Sequence, residues 1–192
     1  MALHKGFRYD HWSYDRIYRM DMIKQPDVLM FLYLYNTSFS KETKRVNYDF
    51  YGPRTIHESS LSPAIHSILA AELDKMNEAV RFFGYATRLD LDNYNRNTWE
   101  GLHITSIAMA WANIVYGFAG LRSDGALLHF APCLPQRWKQ LSFSVMYRGR
   151  IIVLCMGTEK TSFRLTKGEP LTVQIYGREM QLKLEELLVP HL

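Results

Sequence analysis

Residues 55–67, TIHESSLSPAIHS, gather two histidines, a glutamate and four serines around Pro63, just ahead of an apolar segment. Side chains of these types can ligate a metal, activate a nucleophile or grip an anion. The spacing argues against a metal. His57-Glu58 begins as a zinc-protease helix would, but the position four beyond His57 is Leu61, and His57 and His66, nine apart, do not share a helical face. Nucleophilic catalysis finds no G-x-S-x-G, and neither Cys133 nor Cys155 has a histidine near it in sequence. An anion site fits better. Ser59, Ser60 and Ser62 precede a helix whose first position suits Pro63. A helix start offers unpaired N–H groups and a partial positive charge. One serine, at 60 or 62, would suffice as a cap worth about 1 kcal/mol. Three serines behind a His-Glu pair exceed that need.

A second such start is NTWEGLHITS, residues 97–106. Asn97 or Thr98 could cap it, and Gly101 would let a ligand approach the backbone closely. His103 would project from the first turn, able to donate to a phosphate oxygen; a histidine buried against a carbonyl is the plainer alternative. Lys24 and Gln25, in MIKQPDVLM, carry groups that hydrogen-bond sugar hydroxyls, as many surface loops do.

The elements that must position these groups are legible from periodicity. Pro26-Asp27 opens a helix over 26–36, and Ser40 caps another that Gly52-Pro53 stops. Leu61, Ile65, Ile68, Leu69 and Leu73 recur at helical spacing, as do Ala79, Phe82, Phe83, Ala86 and Leu89, so two helices joined near Asp74–Asn77 form an antiparallel hairpin. Ile104, Ile107, Ala108, Trp111, Ile114, Val115 and Phe118 form a third stripe, on a helix expected to be buried on most sides. After Gly125 the period changes to two. LSFSVMY, IIVLCM, TSFRLT, LTVQIY and MQLKL read as short strands separated by glycine-containing turns, the pattern of a β-sandwich. The expected division is a helical part, residues 1–125, and a β part, residues 126–192.

Composition narrows the classes. The chain has 192 residues, is 47% hydrophobic and 22% charged, and so has ordinary globular content. Residues 1–126 balance 14 basic against 14 acidic side chains, and the net charge of +4 lies wholly in residues 127–192 without forming a block. Nucleic-acid and membrane-surface binding are therefore not expected. Residues 101–121 lack any Asp, Glu, Lys or Arg, but His103, Thr105, Ser106, Asn113 and three glycines argue against a membrane span. Two isolated cysteines and a start without a signal-peptide core fit a cytoplasmic protein.

In chain order, HWSYDRIYR, IKQPDVLM, DFYGPRTIHESSLSPAIHSILAAEL, DLDNYNRNTWEGLHITSIAMAW and VYGFAGLRSDG resemble the C-terminal third of glycoside hydrolase family 65, on its maltose, kojibiose and trehalose phosphorylase branch. The likeness runs from about residue 10 to at least residue 150. It implies the C-terminal helices of an (α/α)6 barrel followed by a small antiparallel β-sandwich. It also implies inverting phosphorolysis: inorganic phosphate attacks the anomeric carbon of a disaccharide such as maltose while a glutamic acid protonates the departing oxygen. By that likeness Lys24 and Gln25 lie at the glucose subsite, and Ser59, Ser60, Gly101 and His103 hold phosphate, with no metal and no cofactor. The family's general acid would precede HWSYDRIYR and so fall outside this chain. Glu58 and Glu100 sit in phosphate-side segments, where a carboxylate would repel the nucleophile, and neither is expected to replace it. The chain is then expected to be inactive alone, to need an N-terminal half-enzyme polypeptide, and to expose helix faces suited to burial. The alternatives are a non-catalytic sugar- or phosphate-binding module, a remnant of a truncated gene, or a fragment of a family 65 hydrolase. The choice of disaccharide and the oligomeric state, a homo-oligomer included, stay open.

Overall fold

The computed structural model describes residues 19–57, 59–93 and 96–191. The first part of HWSYDRIYR, and Glu58, lie outside the described residues. Five α-helices precede seven strands within them: α1 (Asp27–Leu34), α2 (Lys41–Tyr51), α3 (Ser62–Glu72), α4 (Met76–Asp92) and α5 (Ile104–Ala112).

Local chemistry accounts for the ends of the first helices. Pro26 sits at the N-cap of α1, and Asp27 complements the positive end of the helix in its first turn. The Ser40 side chain accepts from the Thr43 N–H at 3.1 Å to start α2, and Gly52-Pro53 turn the chain into a 3₁₀ segment. The start of α3 differs from the expected serine cap. Its N-cap residue is Leu61, with no side-chain cap, and Ser62 and Pro63 are already helical. The serines are committed elsewhere, as described below. Helix α3 is the central element, with ten of its eleven residues buried.

The hairpin of α3 and α4 is antiparallel, closed through Lys75 N–H to Ala70 C=O at 2.8 Å. The Ser67 hydroxyl, midway along α3, donates to the Ala79 carbonyl, early in α4, at 2.8 Å. The Ser106 hydroxyl, early in α5, donates to Ala86, late in α4, at 2.5 Å. Helices α3 and α5 therefore both start at the end of the bundle where α4 stops.

Helix α5 corrects one expectation. Its stripe is not buried: Ile104 is 68% exposed, Ile107 51% and Trp111 53%. The helix passes into a π-helical turn, Asn113–Phe118, whose wider winding re-aims the following residues, so that Val115 and Phe118 are the ones that enter the core. Val28, Phe31 and Leu34 on α1 and Val46 and Phe50 on α2 are also exposed. Among the described residues, no helix is long and apolar enough to cross a membrane.

The β part contains β1 (Leu128–Phe130), β2 (Leu141–Tyr147), β3 (Arg150–Met156), β4 (Lys160–Lys167), β5 (Leu171–Ile175), β6 (Arg178–Leu182) and β7 (Leu187–Pro190). They form a four-stranded sheet, β2-β3-β4-β7, and a three-stranded sheet, β1-β5-β6. The four-stranded sheet is antiparallel throughout, but β1 pairs with β5 in parallel, Phe130 opposite Ile175. The β part is thus not wholly antiparallel, because β2–β4 intervene in the other sheet and serve as the crossover a parallel pair needs.

One continuous core joins helices and sheets. Phe83 of α4, Phe118 and Trp138 pack edge to face, with centroids 5.1–5.6 Å apart. Phe130 and Phe163, one from each sheet, meet at 5.3 Å. Gly120 allows the close approach behind this junction: its φ is +60°, and a Cβ there would lie 2.6 Å from the Ala131 carbonyl oxygen.

Candidate functional site

The first group of site residues is held beside the start of α3. Ile23 and Thr55 form a parallel bridge, with Ile23 N–H to Arg54 C=O at 2.9 Å and Ile56 N–H to Ile23 C=O at 3.0 Å. The bridge lays the Lys24-Gln25 loop along the segment leading to the serines. There the Ser59 hydroxyl donates to Gln25 Oε1 at 3.0 Å and accepts the Leu61 N–H at 3.2 Å. Ser59 is buried, Ser60 half-buried, and Lys24 and Gln25 are exposed. The expected sugar-side and phosphate-side residues are therefore in direct contact through Gln25 and Ser59.

Behind them lies a buried cluster. His57 has a φ of +59°, which turns its ring under the loop against His66, centroids 4.5 Å apart, and against Phe82 at 4.7 Å. The nine-residue separation thus does not keep the two histidines apart, because His57 is not helical. His57 Nδ1 is 3.2 Å from the Ser62 hydroxyl, and His66 Nδ1 donates to the Ser62 carbonyl at 2.8 Å. Burial, with His66 and Arg81 nearby, pushes the His57 pKa down to about 3. Burial also carries His66 down to about 4 against the pull of the Ser62 carbonyl. Both imidazoles are neutral at physiological pH and act as packing beneath the serine loop.

The second group lies in the connection from α4 to α5. Asn93 and Arg96 have positive φ, 44° and 58°, and Gly101 has φ +115° with nothing within 4 Å of a would-be Cβ. Gly101 is exposed, and its backbone conformation rather than crowding calls for glycine. His103 is the N-cap residue of α5. One Asp90 carboxylate oxygen accepts its backbone N–H at 2.9 Å and the other its ring Nδ1–H at 2.5 Å. The Asn97 side-chain amide nitrogen lies 3.0 Å from the remaining ring nitrogen, Nε2. The two groups have separate hydrogen bonds and share the end of the bundle at which α3 and α5 begin. Glu100 is exposed in the same loop.

Sequence comparison assigns the family. Residues 3–112 match the glycosyl hydrolase family 65 central catalytic domain, and residues 121–182 match the family 65 C-terminal domain. The chain belongs to glycoside hydrolase family 65. It is 49% identical over 175 residues to maltose phosphorylase of Bacillus subtilis (strain 168), covering 91% of this chain and 23% of that protein. It is 43% identical over 177 residues to an α,α-trehalose phosphorylase of Thermoanaerobacter brockii, covering 92% and 23%. A solved structure, of a proposed kojibiose phosphorylase from human microbiome, superposes with a TM-score of 0.89 at 45% identity, covering 96% of this chain and 27% of that one. The chain thus spans about a quarter of the length of the family 65 relatives it matches.

Asp90 is a residue beside His103 that sequence reasoning did not single out, and Asn97, read there as a possible cap, makes no side-chain cap and faces the His103 ring instead. The signal for Asp90 was present. It sits in the last turn of α4 at the negative end of the helix dipole, in a turn without a basic residue, where a carboxylate is ordinarily unfavourable. The side-chain and backbone N–H groups of His103 compensate it and hold its pKa below the usual carboxylate range. The other shifted carboxyls also move down. Burial would raise Glu72, but Arg122 and Lys44 outweigh it, and Asp92 is lowered by the Arg88 hydrogen bond. Cys133 moves the opposite way, burial pushing its thiol to about 12, which removes it as a nucleophile at neutral pH.

Proposed function

We propose that this chain supplies the phosphate-side part of an inverting disaccharide phosphorylase of family 65, acting on a substrate such as maltose to give glucose and glucose 1-phosphate. The observation that carries the proposal is the Ser59–Gln25 hydrogen bond at 3.0 Å. It couples a group suited to a sugar hydroxyl to a loop suited to phosphate, at the end of the bundle from which His103 also projects. In this reading residues 1–125 are helices of an (α/α)6 barrel and residues 126–192 a β-sandwich. Lys24 and Gln25 face the glucose, and Ser59, Ser60, Gly101 and His103 face the phosphate. The family likeness and the names of the relatives support the substrate class.

The mechanism follows from what each side must do. An inverting displacement places the nucleophile and the acid on opposite faces of the sugar. A phosphate oxygen bonds to the anomeric carbon as the glycosidic bond breaks, and the departing oxygen takes the proton of the acid. Phosphate is already anionic, so positioning matters more than activation, and hydroxyls, N–H groups and an imidazole are adequate partners. A general acid needs a raised pKa. By the family likeness the proposal assigns the acid to a glutamate outside these 192 residues, and Glu72, Asp90 and Asp92, all held low, are poor substitutes for it.

The test is phosphate-dependent release of glucose 1-phosphate from maltose. The chain is assayed alone and together with the preceding segment of the Bacillus subtilis relative. Activity only in the combination supports the reading. Turnover by the chain alone would refute the assignment of the acid, and no turnover in the combination would favour a binding module or an inactive remnant.

A further inference from the structure

Resting on that reading, we propose that Asp90 is the positioning residue for His103: it holds the proton on Nδ1 and thereby reserves Nε2 for the ligand, with Asn97 occupying Nε2 until the ligand arrives.

The geometry carries this in two steps. First, a carboxylate only accepts hydrogen bonds, so Asp90 Oδ1 at 2.5 Å requires a proton on His103 Nδ1. Second, the Asp90 partner oxygen takes the His103 backbone N–H at 2.9 Å. Side chain and backbone of one residue are thus gripped by the two oxygens of one carboxylate, which fixes ring orientation as well as tautomer. The pair is well shielded, with the His103 side chain 19% exposed and Asp90 15%.

Between Asp90 and His103 the chain turns through Asn93, which ends α4 in the left-handed region, through Arg96 with a φ of 58°, and through Gly101, whose φ of 115° glycine alone takes readily. Asn93 contributes a further tie, its side-chain oxygen accepting the Thr98 N–H at 3.2 Å. Asp90 also stands at the end of α4 where a carboxylate gains nothing from the helix, which points to His103 as the reason for its presence.

The consequence is directional. To donate to an anionic phosphate oxygen, Nε2 must take up a proton and Asn97 must release it. Asp90, the charged group in hydrogen-bond contact with the ring, balances the imidazolium that results. In metal sites, removing the carboxylate that orients a ligating histidine through its other nitrogen costs on the order of tenfold to a hundredfold in affinity or activity, and a loss at the lower end of that range is expected for an anion held by His103.

The experiment is nitrogen-15 NMR of the 192-residue chain with labelled histidine, the His103 signals assigned by His103→Gln. Without phosphate, the wild type is expected to show His103 in the Nδ1–H form, and Asp90→Asn is expected to shift it toward Nε2–H. Asn97→Ala is expected to keep the Nδ1–H form, which separates orientation by Asp90 from loss of the loop fold. A wild-type Nε2–H tautomer, or an unchanged tautomer in Asp90→Asn with an intact thermal transition, overturns the inference. Inorganic phosphate is then titrated. Protonation of Nε2 in the wild type, about tenfold weaker in Asp90→Asn, supports both readings. A His103 signal indifferent to phosphate sinks the phosphate reading, while the tautomer result still decides the role of Asp90.

Discussion

Replacing Glu72 by alanine should cost this fold more than any single exposed substitution. The Glu72 carboxylate accepts from Lys44 Nζ at 2.5 Å, Arg122 Nη2 at 2.7 Å and Asn36 Nδ2 at 2.7 Å. It thereby ties the 3₁₀ turn after α1, the body of α2 and the connector after the π-helical turn to the last residue of α3. The two cations are nearly enclosed, Lys44 with 4% of its side chain exposed and Arg122 with 7%. Arg122 also donates to the carbonyls of Tyr116 and Leu121, so its position sets the passage from helices to sheets. Removing Glu72 leaves two buried positive charges without their counter-ion, and breaking a buried pair costs about 3–5 kcal/mol. Domains of this kind have roughly 5–15 kcal/mol in total, so the loss should be visible as a large drop in the urea midpoint at an unchanged slope. The pair is not expected to be a net source of stability, however. The double variant Lys44→Met/Glu72→Leu removes Glu72 with one of its two cations, leaving Arg122 unpaired, and should recover part of the loss. A Glu72→Ala change below about 1 kcal/mol, the size of a surface ion pair, would show that water reaches these cations and would refute the argument from burial.

Three further outcomes follow from the same geometry. Ser59→Ala removes two hydrogen bonds and should lower stability by about 1–3 kcal/mol in urea titrations; in a reconstituted enzyme it should raise KM for phosphate. Gly101→Ala meets no atom but must hold a φ of +115°, so a strain cost of about 1–3 kcal/mol is expected from thermal unfolding. For His57 and His66 the folded pKa values lie below the ordinary 6.5, so the unfolded chain binds more protons once the pH falls below that value. Stability is full above pH 6.5 and is lost as pH falls toward 4 and then 3, by on the order of 2 kcal/mol per histidine at pH 5. Urea curves at pH 7 and pH 5 measure it, and His66→Gln should flatten the slope.

Much of the scaffold was legible because it depends on near neighbours in the chain. Ser40 caps α2 through a residue three positions on, Pro63 falls in the first turn of α3, and LSFSVMY alternates along β2 as the pattern required. The misses have a common cause. β1 and β7 are three and four residues long, too short for a period to show, and β1 finds its partner in β5 more than forty residues away. The outward face of α5 was hidden because a stripe of apolar residues reports a face without saying what lies against it.

The sequence by itself determined the helix-then-strand order, the residues that can hold an anion or a sugar, and the family likeness, because these reside in residue type and spacing. Tertiary structure alone decided what those residues do to one another. It brought Gln25 to Ser59 across 34 positions, folded His57 onto His66 through a left-handed turn, and set Asp90 against His103 across the connection from α4 to α5. The physical reason is that a hydrogen bond depends on where two atoms end up, and for groups on different elements that is settled by packing of the common core.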